Sequence, residues 1–183
     1  MANLEARIAK LEAESEIRQL IARYCFYIDE RDIAKVRTLF TPDATLRSAD
    51  GVMNATGVDA IIEQYHGRFE VLGAGWHFMH DIQLDFVGDG TVEATGKVSG
   101  HAELWRLGQM MVTGIRYQDV YRNTPDGWRI HDRTISFLYY VPLKDYPDIL
   151  KTVDRNHAYG VPTPADFPER LPSWVEYEKS RQS

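Results

Sequence analysis

The second half of the chain constrains the fold most. Four long β-type segments follow one another there, at about 75–87, 91–107, 110–123 and 128–141. Only turn signals separate them: Gly88-Asp89-Gly90, Gly108, and Pro125-Asp126-Gly127. Connections that short cannot hold a crossover, so each strand must run antiparallel to the one before it. The chain is therefore committed to one long meandering sheet, and that sheet needs cover on at least one face.

The residues before it supply helices. Leu4, Ile8 and Leu11, then Ile17, Leu20, Ile21, Tyr24 and Ile28, recur at three- and four-residue spacing. This predicts one amphipathic helix, bent near Ser15. Asp32 reads as the N-cap of a short second helix carrying Ile33, Val36, Leu39 and Phe40, which Pro42 stops. A hairpin through Asp50-Gly51 follows, then a third helix from Gly57 with Val58, Ile61, Ile62, Tyr65 and Phe69. Helices first and hairpin-linked strands after predict an α+β fold, with the helices on one face of a curved antiparallel sheet. The space between them is a natural pocket. From Pro142 the character changes again, to six prolines interleaved with Tyr146, Tyr159, Phe167, Trp174 and Tyr177. We read a domain at 1–141 and, at 142–183, an extended arm with a short helix near 148–156. The arm packs on this subunit or a neighbour, and a cover over the pocket mouth is the functional alternative.

Composition narrows the function. At 183 residues the chain is one domain with a core of its own. A net charge of -6 argues against nucleic acid and anionic membranes as partners. One cysteine, Cys25, allows no intrachain disulfide and no cysteine-based zinc site. No apolar run approaches the ~18 residues of a membrane span, and the start MANLEARIAKLEAE lacks the apolar core of a signal peptide. A cytoplasmic location is the expectation. No Gly-rich phosphate loop follows a strand and no side chains have metal-site spacing, so no cofactor and no metal are expected.

Elimination chemistry needs little else than a base near a labile proton. Neutral histidine suits pH 7, and a carboxylate on its far nitrogen fixes the tautomer. Asp29 ends the first helix, where a carboxylate wants a compensating partner. His77 and His80 open the first long strand. Ile82, Leu84 and Phe86 alternate toward one face, and His80 shares their parity while His77 does not. A bulge between His77 and Ile82 is thus required if His77 is to face inward. Tyr117 and Asp132 are further pocket candidates, Asp132 because it shares the parity of Trp128.

The run Ile17 to Tyr24 leading into Ile28-Asp29, then Leu39-Phe40-Thr41-Pro42-Asp43-Ala44, the Gly57 helix start, residues 77–86 and Asp126-Gly127-Trp128-Arg129-Ile130 together resemble a known family. It is the SnoaL-like branch of the nuclear transport factor 2 superfamily, and within it the chain is similar to scytalone dehydratase, bile-acid 7-alpha-dehydratase and lindane dehydrochlorinase. The resemblance implies a sheet wrapped around the N-terminal helices as a cone with an internal pocket. It puts a catalytic histidine on His77, its orienting carboxylate on Asp29, and polarising groups on Tyr24 and His80. Scytalone dehydratase has a further histidine where Gly96-Lys97-Val98 stands here, which makes Val98 and, three residues on, His101 positions to inspect. The arginine that the bile-acid enzyme carries on its last strand aligns near Phe137. The implied activity is dehydratase-like elimination from a small cyclic molecule. An isomerase or cyclase with the same pair, and a non-catalytic subunit like the small subunit of ring-hydroxylating dioxygenases, are the alternatives. A homo-oligomer, trimer or dimer, is also implied.

Overall fold

The computed structural model describes residues 4–181. Helix α1 (Leu4–Asp29) leads into a short α2 (Ile33–Arg37), strands β1 (Phe40–Ser48) and β2 (Asn54–Thr56), and helix α3 (Val58–Val71). The four long strands are β3 (Leu72–Phe86), β4 (Glu93–Arg106), β5 (Gln109–Thr124) and β6 (Gly127–Pro142). They form one curved, unclosed sheet in the order β2-β1-β6-β5-β4-β3, with the N-terminal helices on its inner face. The meander is antiparallel throughout, but β1 pairs parallel to β6. That departs from a wholly antiparallel sheet, and the reason is connectivity: no hairpin joins β1 to β6, so nothing forces their directions apart.

Local chemistry explains most of the remaining differences. α1 is one continuous helix through Ser15, buried along Ile17, Leu20, Ile21, Tyr24 and Ile28, while Leu4, Ile8 and Leu11 stay exposed. α2 ends at Arg37, so Leu39 and Phe40 are buried without being helical. Pro42 sits within β1, in the stretch between Phe40 and Thr45 where pairing to β6 slips, which is where a strand tolerates proline. After β6 comes a 3-10 helix (Leu143–Lys151), earlier than the sequence suggests, and a terminal α4 (Pro172–Arg181) that we did not expect. Pro172 takes its first position, where a missing N–H costs nothing. Between them the arm lies on its own subunit. Arg155 donates to the carbonyls of Leu138 and Phe167 at 2.9 and 3.0 Å and to Glu169 at 2.7 Å. No helix among the described residues is long and apolar enough to cross a membrane.

Strand register stacks the inner-face side chains in rows. His77, Ala102, Thr113 and Tyr140 make one row, and Met79, Gly100, Ile115 and Phe137 the next. Then come Ile82, Val98, Tyr117 and Ile135, followed by Leu84, Gly96, Asp119 and Arg133. The rows line up only because strands slip. In β3, His80 and Asp81 together oppose Ser99, and in β6 His131 and Leu138 are each an extra residue. Each slip reverses which parity faces inward.

Candidate active site

The α1 stripe ends one residue short of Asp29, so the carboxylate leaves the helix beside Ile28 and meets β3. Arg31, at positive φ, turns the chain and donates to the carbonyls of Leu72 and Gly73 at 2.5 and 3.0 Å, fastening the helix end to the strand. Asp29 then uses both oxygens on one residue. Oδ1 lies 2.6 Å from His77 Nδ1, and Oδ2 accepts the His77 main-chain N–H at 2.9 Å. The side chains are 7% and 14% exposed, so the contact is shielded from water. A carboxylate only accepts, so Nδ1 carries a proton, and in the neutral ring the lone pair is on Nε2. The bulge demanded by parity is present at His80 and Asp81.

His77 lines a partly enclosed cavity of about 60 Å³ together with Tyr24, Tyr65, Tyr117, Thr113, Tyr140 and apolar side chains. Tyr24 and Tyr65 share a hydroxyl–hydroxyl bond of 2.8 Å. Burial, then the Tyr24 phenol beside it, pushes the Tyr65 hydroxyl well above the usual phenol range, so it stays a proton donor. Burial does the same to Tyr117. Behind them Arg133 lies with its guanidinium carbon 4.1 and 4.2 Å from the Tyr24 and Tyr117 ring centres. It donates to Asp119 twice, at 2.8 and 2.6 Å, and both side chains are fully buried. Burial opposes the charge on Arg133, but the Asp119 carboxylate outweighs it and holds the guanidinium well above its usual range. Burial pushes the Cys25 thiol up to about 12, so it is no nucleophile.

Asp29, His77, Tyr24 and Tyr117 thus converge, and four other candidates do not. His80 falls in the bulge, is exposed and does not line the cavity, its Nε2 2.7 Å from His101 Nδ1; it shares only an open groove at the β3 edge with Asp29, His77 and Cys25. His101 is outside as well, stacked on Phe78, because β4 turns even-numbered residues inward. Val98 does face inward, fully buried, but belongs to the core and does not line the cavity. Asp132 is turned outward by the extra residue His131 and binds Thr45 and Arg47. The same slip aims Arg133 inward, which sequence reasoning missed. A warning was available: plain register from the Asp126-Gly127 turn sets Asp119 opposite Asp132, two like charges side by side. One slipped residue replaces that clash with a salt bridge. Tyr65 was legible only as a core position of the third helix, and Tyr140 was not singled out.

The structure is an α+β cone with an internal cavity that His77 lines and Asp29 backs. The SnoaL-like domain profile matches residues 9–134, so the chain belongs to the SnoaL-like family, within the nuclear transport factor 2-like fold. Among solved structures it is similar to a type 2 hexachlorocyclohexane dehydrochlorinase (LinA), at 15% identity and a TM-score of 0.70 over 75% of this chain and 93% of that one. A candidate scytalone dehydratase from Novosphingobium aromaticivorans superposes at 18% identity and a TM-score of 0.66, over 76% and 91%. An NTF2-like protein with a cystatin-like fold from the same species matches at 27% identity and a TM-score of 0.59, over 74% and 88%. No curated protein gave a significant match.

Proposed function

We propose that this protein is a cofactor-independent lyase that eliminates water or another small leaving group from a small cyclic molecule. One observation carries the reading: the Asp29 carboxylate on His77 Nδ1 at 2.6 Å, which leaves Nε2 as a base at the cavity. In the step, Nε2 takes a proton from carbon. The C–H electrons become the new double bond, and the bond to the leaving group breaks toward that group. Asp29 stabilises the imidazolium that forms. The hydrogen-bonded Tyr24 and Tyr65 hydroxyls are placed to donate to a departing oxygen or to an activating carbonyl. The dehydrochlorinase and dehydratase named among the structural neighbours support elimination as the reaction type.

A cavity of about 60 Å³ is smaller than a ring; a roughly 150 Å³ cavity is known to take benzene. Binding therefore requires the half-buried lining residues Phe69 and Leu72 to move aside. The test is His77→Ala against a panel of hydroxylated and halogenated cyclic compounds, read by product mass. Expected is loss of the eliminated mass with wild type and a fall of ~10²–10⁴-fold in the variant, with the fold unchanged. Undiminished turnover in His77→Ala would remove the mechanism. Product of unchanged mass would make the protein an isomerase.

A further inference from the structure

The described residues contain three buried arginines: Arg106, Arg133 and Arg155. Arg133 has Asp119, and Arg155 has Glu169. Arg106 has no carboxylate within ion-pair distance among the described residues, and its Nε and Nη1 are buried without any hydrogen-bond partner. A buried, uncompensated guanidinium is costly, and this chain has acids to spare at a net charge of -6. No described residue supplies the missing counter-charge.

Its surroundings say where that charge belongs. Arg106 ends β4 on the inner face, two residues beyond the cavity-lining Leu104 and paired to the cavity-lining Leu72. Its guanidinium carbon lies 5.4 Å from the Tyr140 ring centre and 5.6 Å from that of Tyr159 on the arm. Tyr140 lines the cavity at 1% exposure, and its hydroxyl is also buried without a partner. Arg68 lines the same cavity from α3, half-buried, and forms no ion pair among the described residues. Asp50, the acid facing Tyr159, hydrogen-bonds Ser48 and the Val52 N–H and forms no ion pair with Arg106 or Arg68 among the described residues. Unpaired Arg68 and the orphaned Tyr140 phenol thus line the cavity beside apolar Phe69, Leu72 and Leu104, and unpaired Arg106 lies just behind Tyr140 and Leu72.

We propose that Arg68, Arg106 and the Tyr140 hydroxyl bind the carboxylate of the ligand, whose apolar body enters the cavity. The site recognises small carboxylic acids with an apolar, ring-sized body. This rests on the reading of the cavity as the substrate site and deepens it by naming the substrate class. Guanidinium groups favour carboxylates, because the bond is charge-assisted and desolvated.

Calorimetric titration tests it with matched probes: benzoate against benzamide, isobutyrate against isobutyramide, and inorganic phosphate. Each is run on wild type, Arg106→Met, Arg68→Met and His77→Ala. Wild type is expected to bind each acid at least about tenfold tighter than its amide. Arg106→Met should bring that ratio near one while raising the melting temperature, since it removes a buried unpaired charge. A merely structural arginine would lower it. If Arg106→Met fails to fold, Arg68→Met decides by the same ratio. His77→Ala should keep the acid preference even though turnover is lost. Equal binding of acid and amide, absence of acid binding, phosphate binding without acid preference, or an unchanged ratio in both arginine variants overturns the proposal. Acid preference beside a fully active His77→Ala would instead sink the lyase reading alone.

Discussion

Removing Asp119 should be among the most damaging single changes in this protein. Its carboxylate is fully buried and takes two bonds from Arg133 and one from the Tyr121 hydroxyl at 2.5 Å. Asp119→Leu leaves a guanidinium with no exposure and no counter-charge. Breaking one side of such a pair costs about 3–5 kcal/mol. For a chain of this length that is a fall of roughly 6–20 °C in melting temperature. The ring contacts of Arg133 with Tyr24 and Tyr117 stay intact at first, so the loss is electrostatic. Arg133→Met on the same background should restore most of it, because neither charge is then stranded. The assay is thermal and urea unfolding of both singles and the double, read as a mutant cycle. A single-variant loss below about 1 kcal/mol, or a double variant as damaged as the sum of the singles, refutes the reasoning.

Other expectations follow from packing and charge. A Cβ on Gly100 would stand 2.6 Å from the Phe78 carbonyl oxygen and 2.5 Å from the Met79 methyl, so Gly100→Ala should cost about 1–3 kcal/mol in urea unfolding. Gly67→Ala, in α3 with nothing within 4 Å, should instead gain up to about 1 kcal/mol. Hydrogen bonds from Arg155 hold the Glu169 carboxyl below its usual range. Its contribution is therefore present above the unfolded value of ~4.3 and lost as pH falls through the lower folded value. Limited proteolysis of residues 152–171 should accelerate over that acid range, and Glu169→Gln should bring the faster cleavage to neutral pH.

Much of the architecture was legible because periodicity and turn chemistry are local. The four strands, the Gly57 start of α3 and the stripe on α1 needed no tertiary information. The resemblance, not local pattern, put Asp29 beside His77, and the contact and the bulge it demands are both present. What failed was parity across slips that sequence does not mark. His131 and Leu138 look like ordinary strand residues, yet each reverses the face of everything around it. That is why Asp132 was assigned inward and Arg133 overlooked. Tyr140 and Arg106 were invisible for another reason: an orphaned polar atom exists only once its neighbours are known.

The Asp29 contact makes a claim about proton location that needs no substrate to test. In Asp29→Asn only one of the two positions facing His77 remains an oxygen. The main-chain N–H of His77 is an obligatory donor, so that oxygen must stay with it. The new NH₂ then faces Nδ1, which has to become an acceptor. The ring proton moves to Nε2, and the lone pair points at residue 29 rather than at the cavity. Nitrogen NMR of the His77 ring should therefore show the Nδ1–H tautomer in wild type and the Nε2–H tautomer in the variant. Turnover should fall by about a thousandfold or more with the fold and ligand binding retained. An unchanged tautomer, or a rate within tenfold of wild type, would show that Asp29 serves only to fasten α1 to β3.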